Sequence, residues 1–533
     1  MYYSLLATSG QIYKEFVGEF IAQLLYSSEA DANIEGGETK KQQQQTFIEN
    51  ILIRLSNLGE TFNFLIFWIT NNNNKNNIMI NNYYFYLILI FFILIFLFFL
   101  HRPLPHFIAD RWKIQIIEFL MRISNEYLGD LVELFSGPIM RNKFTRFFSS
   151  LPFYFFPVRA PNWCLINVGY IAGIKCRFYI PKGEFKRNNA LIVFIHGGGW
   201  CMGRPTKYSC GWCMGRPRFY DGALLLLIKK LGLTIISIDY SLSPEVKFPV
   251  ALLECEQVIE EIYNKKFEDL GIDKNKIALM GDSAGGCQCA VLCQRVLRMN
   301  RKEMIKCQIL IYPVIHMLDF QSPSYQLYYR IYPRTGLLNP KMLARWYLFY
   351  LGIEPTQKNI NLMIKNQHLS PKLLNEAKLS SILDPEKLPK EFLLKEEENE
   401  FLKFNTKNHS SIIKWKTTKN GFNGIKEAKI EKENTEREKL SNQIEEYLRN
   451  PDICPILANN LKDHCPTMIL TAGIDVLRDE GIQYAKRLKE DEVKVELKHY
   501  EDAYHGIFNM YCSKKREEII NDISNYLKNN LIN

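Results

Sequence analysis

This 533-residue chain lacks long runs of like charge, although its formal net charge is +10. Its Lys and Arg residues are scattered among Asp and Glu. A nucleic-acid-binding segment concentrates its positive charge in a block or patch. The charge pattern therefore predicts a solvated basic surface and no nucleic-acid partner. The hydrophobic residues, 47% of the chain, are enough for a large core.

A dense disulfide framework and a zinc motif are also missing. The 13 Cys residues are scattered between Cys164 and Cys512, and the trio Cys287, Cys289 and Cys293 has no His at zinc-ligand spacing. On a helix these positions do not share one face. They are interpreted as small buried residues, and no metal or other cofactor is predicted.

Residues 1–82 have little that could form a core. They include four consecutive Gln at 42–45 and an Asn-rich run at 71–77. Low-complexity polar segments bury too little apolar surface to offset the entropy of folding. The segment 1–82 is therefore predicted to be a disordered extension.

Charge is absent from residues 83–100, which read YYFYLILIFFILIFLFFL. About 20 apolar residues cross a bilayer core as a helix, so this run is near the lower limit for a span. All its faces are apolar and Pro103 and Pro105 follow, which favours a transmembrane signal anchor over a buried core helix. No small-residue cleavage site follows, which argues against a removed signal peptide.

From about Cys164, short apolar runs alternate with helical patterns. This alternation predicts an α/β domain over 164–533, with a mostly parallel central sheet and helices on both faces. Residues 101–163 are interpreted as a membrane-proximal or lid segment, and the polar residues near 395–447 as a surface insertion. The stretch GWCMGRP occurs at 199–205 and again at 211–217, which indicates either a loop insertion or a sequence error.

Residues Gly281–Gly285, GDSAG, match the G-x-S-x-G turn that presents a nucleophilic serine. An apolar strand at 276–280 precedes the turn, and a helical pattern begins at Ala284. Small residues on both sides of Ser283 allow the sharp bend that exposes its hydroxyl. Ser283 is predicted to be the nucleophile, and a Gly-rich turn without catalytic role is the alternative.

A second motif, HGGGW at residues 196–200, follows an apolar strand that ends at Ile195. Backbone N–H groups stabilise the negative oxygen of an acyl-transfer intermediate, and glycines let the backbone approach it closely. The predicted oxyanion group comprises His196, Gly197, Gly198, Gly199 and Ala284. His196 is also a possible base, but its neighbours favour an oxyanion loop.

The predicted base is His505, which lies in EDAYHG at 501–506, after a strand at 493–498. His499, placed at the end of that strand, is expected to pack or face solvent. For the acid, Asp475 lies just beyond a strand at 467–472, whereas Asp479 and Glu480 fall in the next helix. The chain order serine, aspartate, histidine is that of α/β-hydrolases, and the aspartate orients the base.

Four motifs in this order resemble the hormone-sensitive-lipase-like branch of α/β-hydrolases, and within it the arylacetamide deacetylase and neutral cholesterol ester hydrolase group: His196–Trp200, Asp239–Glu245, Gly281–Gly286 and Asp475–Glu480. The resemblance implies a membrane-anchored serine ester hydrolase acting on lipophilic esters or amides, with Ser283, Asp475 and His505 as its triad. A non-catalytic protein that binds ligands in the hydrolase pocket is the alternative.

The resemblance also implies a single-pass protein of the endoplasmic reticulum membrane with a lumenal catalytic domain. Charge counting disagrees, because Arg102, Arg111 and Lys113 follow the apolar run whereas only Lys75 closely precedes it, which favours a cytosolic domain. The margin is two charges and further basic residues lie upstream at Lys40, Lys41 and Arg54, so we expect the lumenal orientation that the resemblance implies. A lumenal domain would make Asn408, in an N-x-S sequence, a glycosylation candidate.

Overall fold

The computed structural model describes Tyr86, Ile90 and residues 102–155, 160–203, 220–266, 271–331, 335–382, 384–392 and 424–533. The chain divides into two compact units, Met1–His101 and Arg102–Asn533, and the second contains almost all described residues. The predicted extension 1–82, nearly all of the apolar run 83–100, most of the tandem copy and Asn408 lie outside them. Within the described part, no helix is both long and apolar enough to cross a membrane.

Eight strands form one sheet in the described residues: β1 Cys164–Ile171, β2 Ile174–Pro181, β3 Leu191–Ile195, β4 Thr234–Ile238, β5 Ile277–Asp282, β6 Cys307–Ile311, β7 Thr467–Ile474 and β8 Val495–Tyr504. Their order is β1-β2-β4-β3-β5-β6-β7-β8. The pairs β1–β2 and β2–β4 are antiparallel, and the other pairs are parallel. The predicted mostly parallel sheet is confirmed.

The central strands are apolar along their whole length because both faces of the sheet are covered. Every residue of β3, β4, β5, β6 and β7 is buried. Continuous Ile, Leu and Val runs are typical of parallel strands between two helical layers. The edge strand β1 instead exposes several of its residues.

The longer described helices are α1 Arg111–Arg122, α2 Gly129–Phe155, α3 Asp221–Leu231, α4 Val250–Glu261, α5 Ala284–Arg298, α6 Pro323–Ile331, α7 Pro340–Leu351, α8 Gln357–Ile364, α9 Gly424–Arg449, α10 Arg478–Glu490 and α11 Lys514–Leu527. Helix α2 is interrupted at Gly137, whose φ and ψ are 78° and 173°. Short turns at Pro371–Leu374 and Ala377–Ile382 are also helical. Helix α5 packs against β5 and β6, and α10 packs against β7. These contacts place the helices that follow the site loops directly on the sheet.

Strand β8 is longer than the sequence pattern indicated. It continues through a register irregularity opposite Ala472 and Ile474 and ends at Tyr504. Such an irregularity lets a strand bend without ending. His499 therefore lies inside the strand, where its ring packs edge-on against Phe392, and His505 follows the strand's last residue.

The last part of the predicted surface insertion near 395–447 differs from that interpretation. It belongs to α9, on which Leu440, Ile444 and Leu448 are buried. Residues four apart lie on one face of a helix. The charged residues between them obscured this narrow apolar stripe, so the insertion ends in a helix that packs on the core.

Replacing Ile444 by Ala should test this packing. Loss of a buried Ile side chain leaves a cavity and should lower the free energy of unfolding by about 2–5 kcal/mol. The exposed neighbour Gln443→Ala should change it by less than about 0.5 kcal/mol. Urea unfolding of both variants provides the measurement, and equal stability of the two would contradict the packing of α9.

Candidate active site

The turn between β5 and α5 holds Ser283 in a backbone conformation that is rare for residues other than glycine. Its φ and ψ are 52° and −121°. A Cβ on Gly285 would lie 2.0 Å from the carbonyl oxygen of Ile195, and one on Gly281 would lie 2.5 Å from Gly285. Only glycine fits at either position, so the small residues of the motif allow the close approach of β3 to the turn.

Three loops bring together the residues predicted to form the triad. His505 Nε2 lies 3.0 Å from Ser283 Oγ, and His505 Nδ1 lies 2.7 Å from Asp475 Oδ2. The other carboxylate oxygen of Asp475 accepts the backbone N–H of Leu477 at 2.9 Å. Asp475 is buried and His505 is partly exposed. This arrangement can deprotonate the serine while the aspartate holds the imidazole ring in position.

The two other acidic residues considered for the triad have different contacts. Asp479 accepts the backbone N–H of Ser324 at 2.7 Å and pairs with Arg478. Glu480 accepts the backbone N–H groups of Ile315 and His316. Burial raises the pKa of Glu480 well above its ordinary value. Both carboxylates fasten the segment after β6 to α10.

The predicted oxyanion group divides into two parts. The N–H of Gly197 already donates to Asp282 Oδ1 at 2.8 Å and contacts the Tyr220 hydroxyl at 3.1 Å. The ring of His196 is fully buried and stacks on Tyr240, so it is not positioned as a base. Gly197 and His196 thus hold the loop in place, which corrects the expectation that all five members donate to substrate.

The other three members of the predicted oxyanion group have backbone N–H groups available to bind substrate. In the described part of the chain, the backbone N–H groups of Gly198, Gly199 and Ala284 make no hydrogen bond. Gly198 has a φ of 104°, and a Cβ on Gly199 would lie 2.4 Å from the ring of Trp346. Glycine is therefore needed at both positions to turn the backbone beneath that ring.

Asp282 is a site residue that the sequence pattern did not single out. Its carboxylate lies between the N–H of Gly197 and the hydroxyl of Tyr220, which donates to Oδ2 at 3.2 Å. Burial raises the pKa of Asp282 to about 6. The available sequence signal was an acidic residue next to the nucleophile, but its partner lies 85 residues away.

Arg146 of α2 is a second residue of the site that the sequence pattern did not reveal. Its guanidinium donates to the carbonyl oxygens of Cys201 and Ser243 at 2.9 and 2.8 Å and pairs with Glu245 at 2.8 Å. The segment 101–163 therefore contacts the loop that follows the oxyanion glycines.

The cysteine trio on α5 has no sign of a metal site. Cys287, Cys289 and Cys293 are buried, as the sequence indicated. The described residues contain no cluster of three or more His, Cys, Asp or Glu suited to a metal.

Comparison with known proteins agrees with this fold. A model of the α/β hydrolase fold family matches residues 192–378 and 418–509. The chain belongs to the α/β-hydrolase family. Arylacetamide deacetylase of Bos taurus is 28% identical to it over 81% of the chain and 96% of the relative. Neutral cholesterol ester hydrolase 1 of Bos taurus is 27% identical over 77% and 89%.

These relatives confirm the resemblance drawn from the four motifs. They also confirm that this α/β-hydrolase is an enzyme of the carboxylic ester hydrolase class. The matched residues contain Ser283, Asp475 and His505.

The buried Asp282 predicts a pH dependence of stability. Because its pKa is raised from 3.8 to about 6, the folded protein binds the proton more tightly than the unfolded chain. Ionisation of the buried Asp282 carboxyl should therefore lower the free energy of unfolding as the pH rises from about 4 to about 6. Asp282→Asn should remove that part of the slope in urea unfolding, and the exposed Asp463→Asn should retain it. Identical slopes in all three proteins would contradict the burial of an ionisable carboxyl.

Proposed function

We propose that this hydrolase cleaves lipophilic esters or amides through an acyl-enzyme formed on Ser283. The observation that carries the proposal is the position of His505, whose two ring nitrogens lie 3.0 Å from Ser283 Oγ and 2.7 Å from Asp475 Oδ2. A base held between a nucleophile and a buried carboxylate is the arrangement that acyl transfer requires.

In the first half of the reaction, Ser283 Oγ attacks the acyl carbon while His505 Nε2 takes its proton. The N–H groups of Gly198, Gly199 and Ala284 stabilise the negative oxygen of the tetrahedral intermediate. His505 then gives the proton to the leaving alcohol or amine, and the acyl group stays on Ser283. Asp475 stabilises the imidazolium and remains ionised.

In the second half, water attacks the acyl-enzyme and His505 acts as the base again. Collapse of the second intermediate releases the acid and restores Ser283. The proposed cycle uses no cofactor. The names of the two relatives, one a deacetylase and one a cholesterol ester hydrolase, support a lipophilic substrate, as does the ring of Trp346 against Gly199.

Substitution of Ser283 tests the mechanism. Ser283→Ala should lower kcat on a short p-nitrophenyl ester by up to about 10⁶-fold, and His505→Ala should cost nearly as much, because triad members act as a unit. Ser441→Ala, a buried serine of α9, should leave turnover unchanged and serves as the control. A fluorophosphonate probe should label wild type and Ser441→Ala only. Labelling of Ser283→Ala would contradict the proposal, and tight ester binding without turnover by wild type would favour the ligand-binding alternative.

We also propose that residues 83–100 anchor the enzyme in the endoplasmic reticulum membrane, with residues 1–82 preceding the anchor and the catalytic domain in the lumen. The family resemblance supports this orientation, although the charges flanking the run favour the opposite one.

The orientation predicts protection of the hydrolase domain in intact microsomes. Protease added without detergent should leave the domain uncut, and detergent should expose it. If Asn408 is glycosylated, endoglycosidase H should shift the band of wild type and not that of Asn408→Gln. Digestion of the domain in intact microsomes would place it in the cytosol and contradict the lumenal orientation.

A further inference from the structure

Helix α1 has the reverse of the usual polarity for a helix on a protein surface. Its buried side carries the ion pair between Glu118 and Arg122, whose side chains are at most 1% exposed. Its outer side carries Trp112, Ile116 and Leu120, and Trp112 is 69% exposed. A helix on the surface of a water-soluble protein normally packs its apolar stripe against the core and exposes its charged residues to solvent.

Helix α2 shows the same inversion in the two parts that meet at Gly137, where the backbone is not helical. Before this break, Leu134 and Phe135 are 78% and 79% exposed. After it, Arg141 and Asn142 are buried and Ile139 is exposed. Six of the exposed apolar residues of these helices are called the outer apolar face: Trp112, Ile116, Leu120, Leu134, Phe135 and Ile139.

The polar sides of both helices are occupied by contacts with the domain. Glu118 accepts the backbone N–H of Gly336 at 2.8 Å, and Glu133 pairs with Arg345 of α7 at 2.8 Å. These bonds fix which side of each helix faces inward. The outer apolar face is therefore a consequence of specific polar contacts, because turning the helices over would leave charged groups without these partners.

Helix α2 also reaches a loop of the candidate active site. Arg146 of α2 holds the carbonyl of Cys201, just past the oxyanion glycines. Arg345, which α2 binds through Glu133, is the neighbour in sequence of Trp346, whose ring packs on Gly199. Helix α2 is thus tied to the loop after the oxyanion glycines at one end and to α7 at the other, and α1 is tied to Gly336. We call α1 and α2 together the cap.

We propose that the outer apolar face lies on the surface of a lipid bilayer, as a membrane contact separate from the apolar run at 83–100. Trp112, Ile116 and Leu120 are four residues apart and share one exposed side of α1. Amphipathic helices with Trp, Phe and Leu on one side bind membrane interfaces. The uncharged run at 83–100 ends twelve residues before Trp112 in the sequence. Arg111 and Lys113 flank Trp112 and suit anionic headgroups.

The membrane contact also gives lipophilic substrate a path to the active site. This part of the proposal rests on the proposed function. A cap that lies on the bilayer and touches the oxyanion loop brings the site close to dissolved lipophilic esters. Such substrates concentrate in the membrane, so enzyme docked there would receive them without passage through water. The lipid contact itself does not depend on the identity of the nucleophile.

The contact is tested first by tryptophan quenching in the full-length protein. Wild type, Trp112→Phe and Trp163→Phe are reconstituted in phosphatidylcholine–phosphatidylserine vesicles whose acyl chains carry bromine either near the headgroup or near the methyl end. Trp163, which stacks on Phe185 beside β1, is the matched control. Quenching by the shallow bromine should decrease in Trp112→Phe and remain at the wild-type level in Trp163→Phe. Equal quenching in all three proteins would overturn the proposal.

Kinetics give an independent test. Leu134→Asp/Phe135→Asp should raise the KM for a long-chain ester dissolved in these vesicles by about tenfold or more, because two apolar anchors leave the membrane. Its kcat/KM on a soluble short ester should match wild type, which also checks folding. The exposed Tyr170→Asp on β1 should leave both values unchanged. An unchanged KM in the double variant would contradict the membrane contact.

Two further outcomes separate the possible failures. If wild type shows no turnover of the soluble ester, the proposed function has failed, whereas Trp112 quenching still reports on the lipid contact. A dimer that dissociates in Leu134→Asp/Phe135→Asp, together with an unquenched Trp112, would show that a second copy covers the outer apolar face and would overturn the lipid assignment.

Discussion

The hydrogen bond between Gly197 N–H and the Asp282 carboxylate joins the two halves of the catalytic apparatus. It connects the loop after β3 to the residue preceding Ser283 at the end of β5, and β3 and β5 are neighbours in the sheet. Because the carboxylate is buried, this bond is electrostatically stronger than it would be in water. The oxyanion donors and the nucleophile are therefore held in one geometry by one side chain.

The parallel sheet explains why residues far apart in sequence meet at this point. Ser283, Asp475 and His505 follow β5, β7 and β8, and parallel strands place their carboxyl ends at the same edge. Asp475 and His505 follow adjacent strands, while β6 separates β7 from β5. A sheet of fixed strand order thus sets the distances on which the proposed proton transfer depends.

The cap on this edge is held by charge rather than by apolar packing alone. Arg146 binds two carbonyl oxygens of the catalytic domain, and the pair Glu118–Arg122 is buried beneath α1. Buried ion pairs are costly to desolvate and contribute specificity of orientation more readily than stability. That specificity leaves the apolar sides of α1 and α2 outward, where the proposed bilayer contact would cover them.

The sequence by itself determined the α/β alternation and the three loops with Ser283, Asp475 and His505, because apolar periodicity and short motifs are local signals. It also indicated the glycines, since a sharp turn requires them. Tertiary structure decided that Gly197 is bound by Asp282, that Arg146 reaches the oxyanion loop, and that Leu440, Ile444 and Leu448 join the core. It also decided which sides of α1 and α2 face outward. These features depend on partners many tens of residues away, and no local pattern encodes which distant group a buried charge or an apolar stripe will meet.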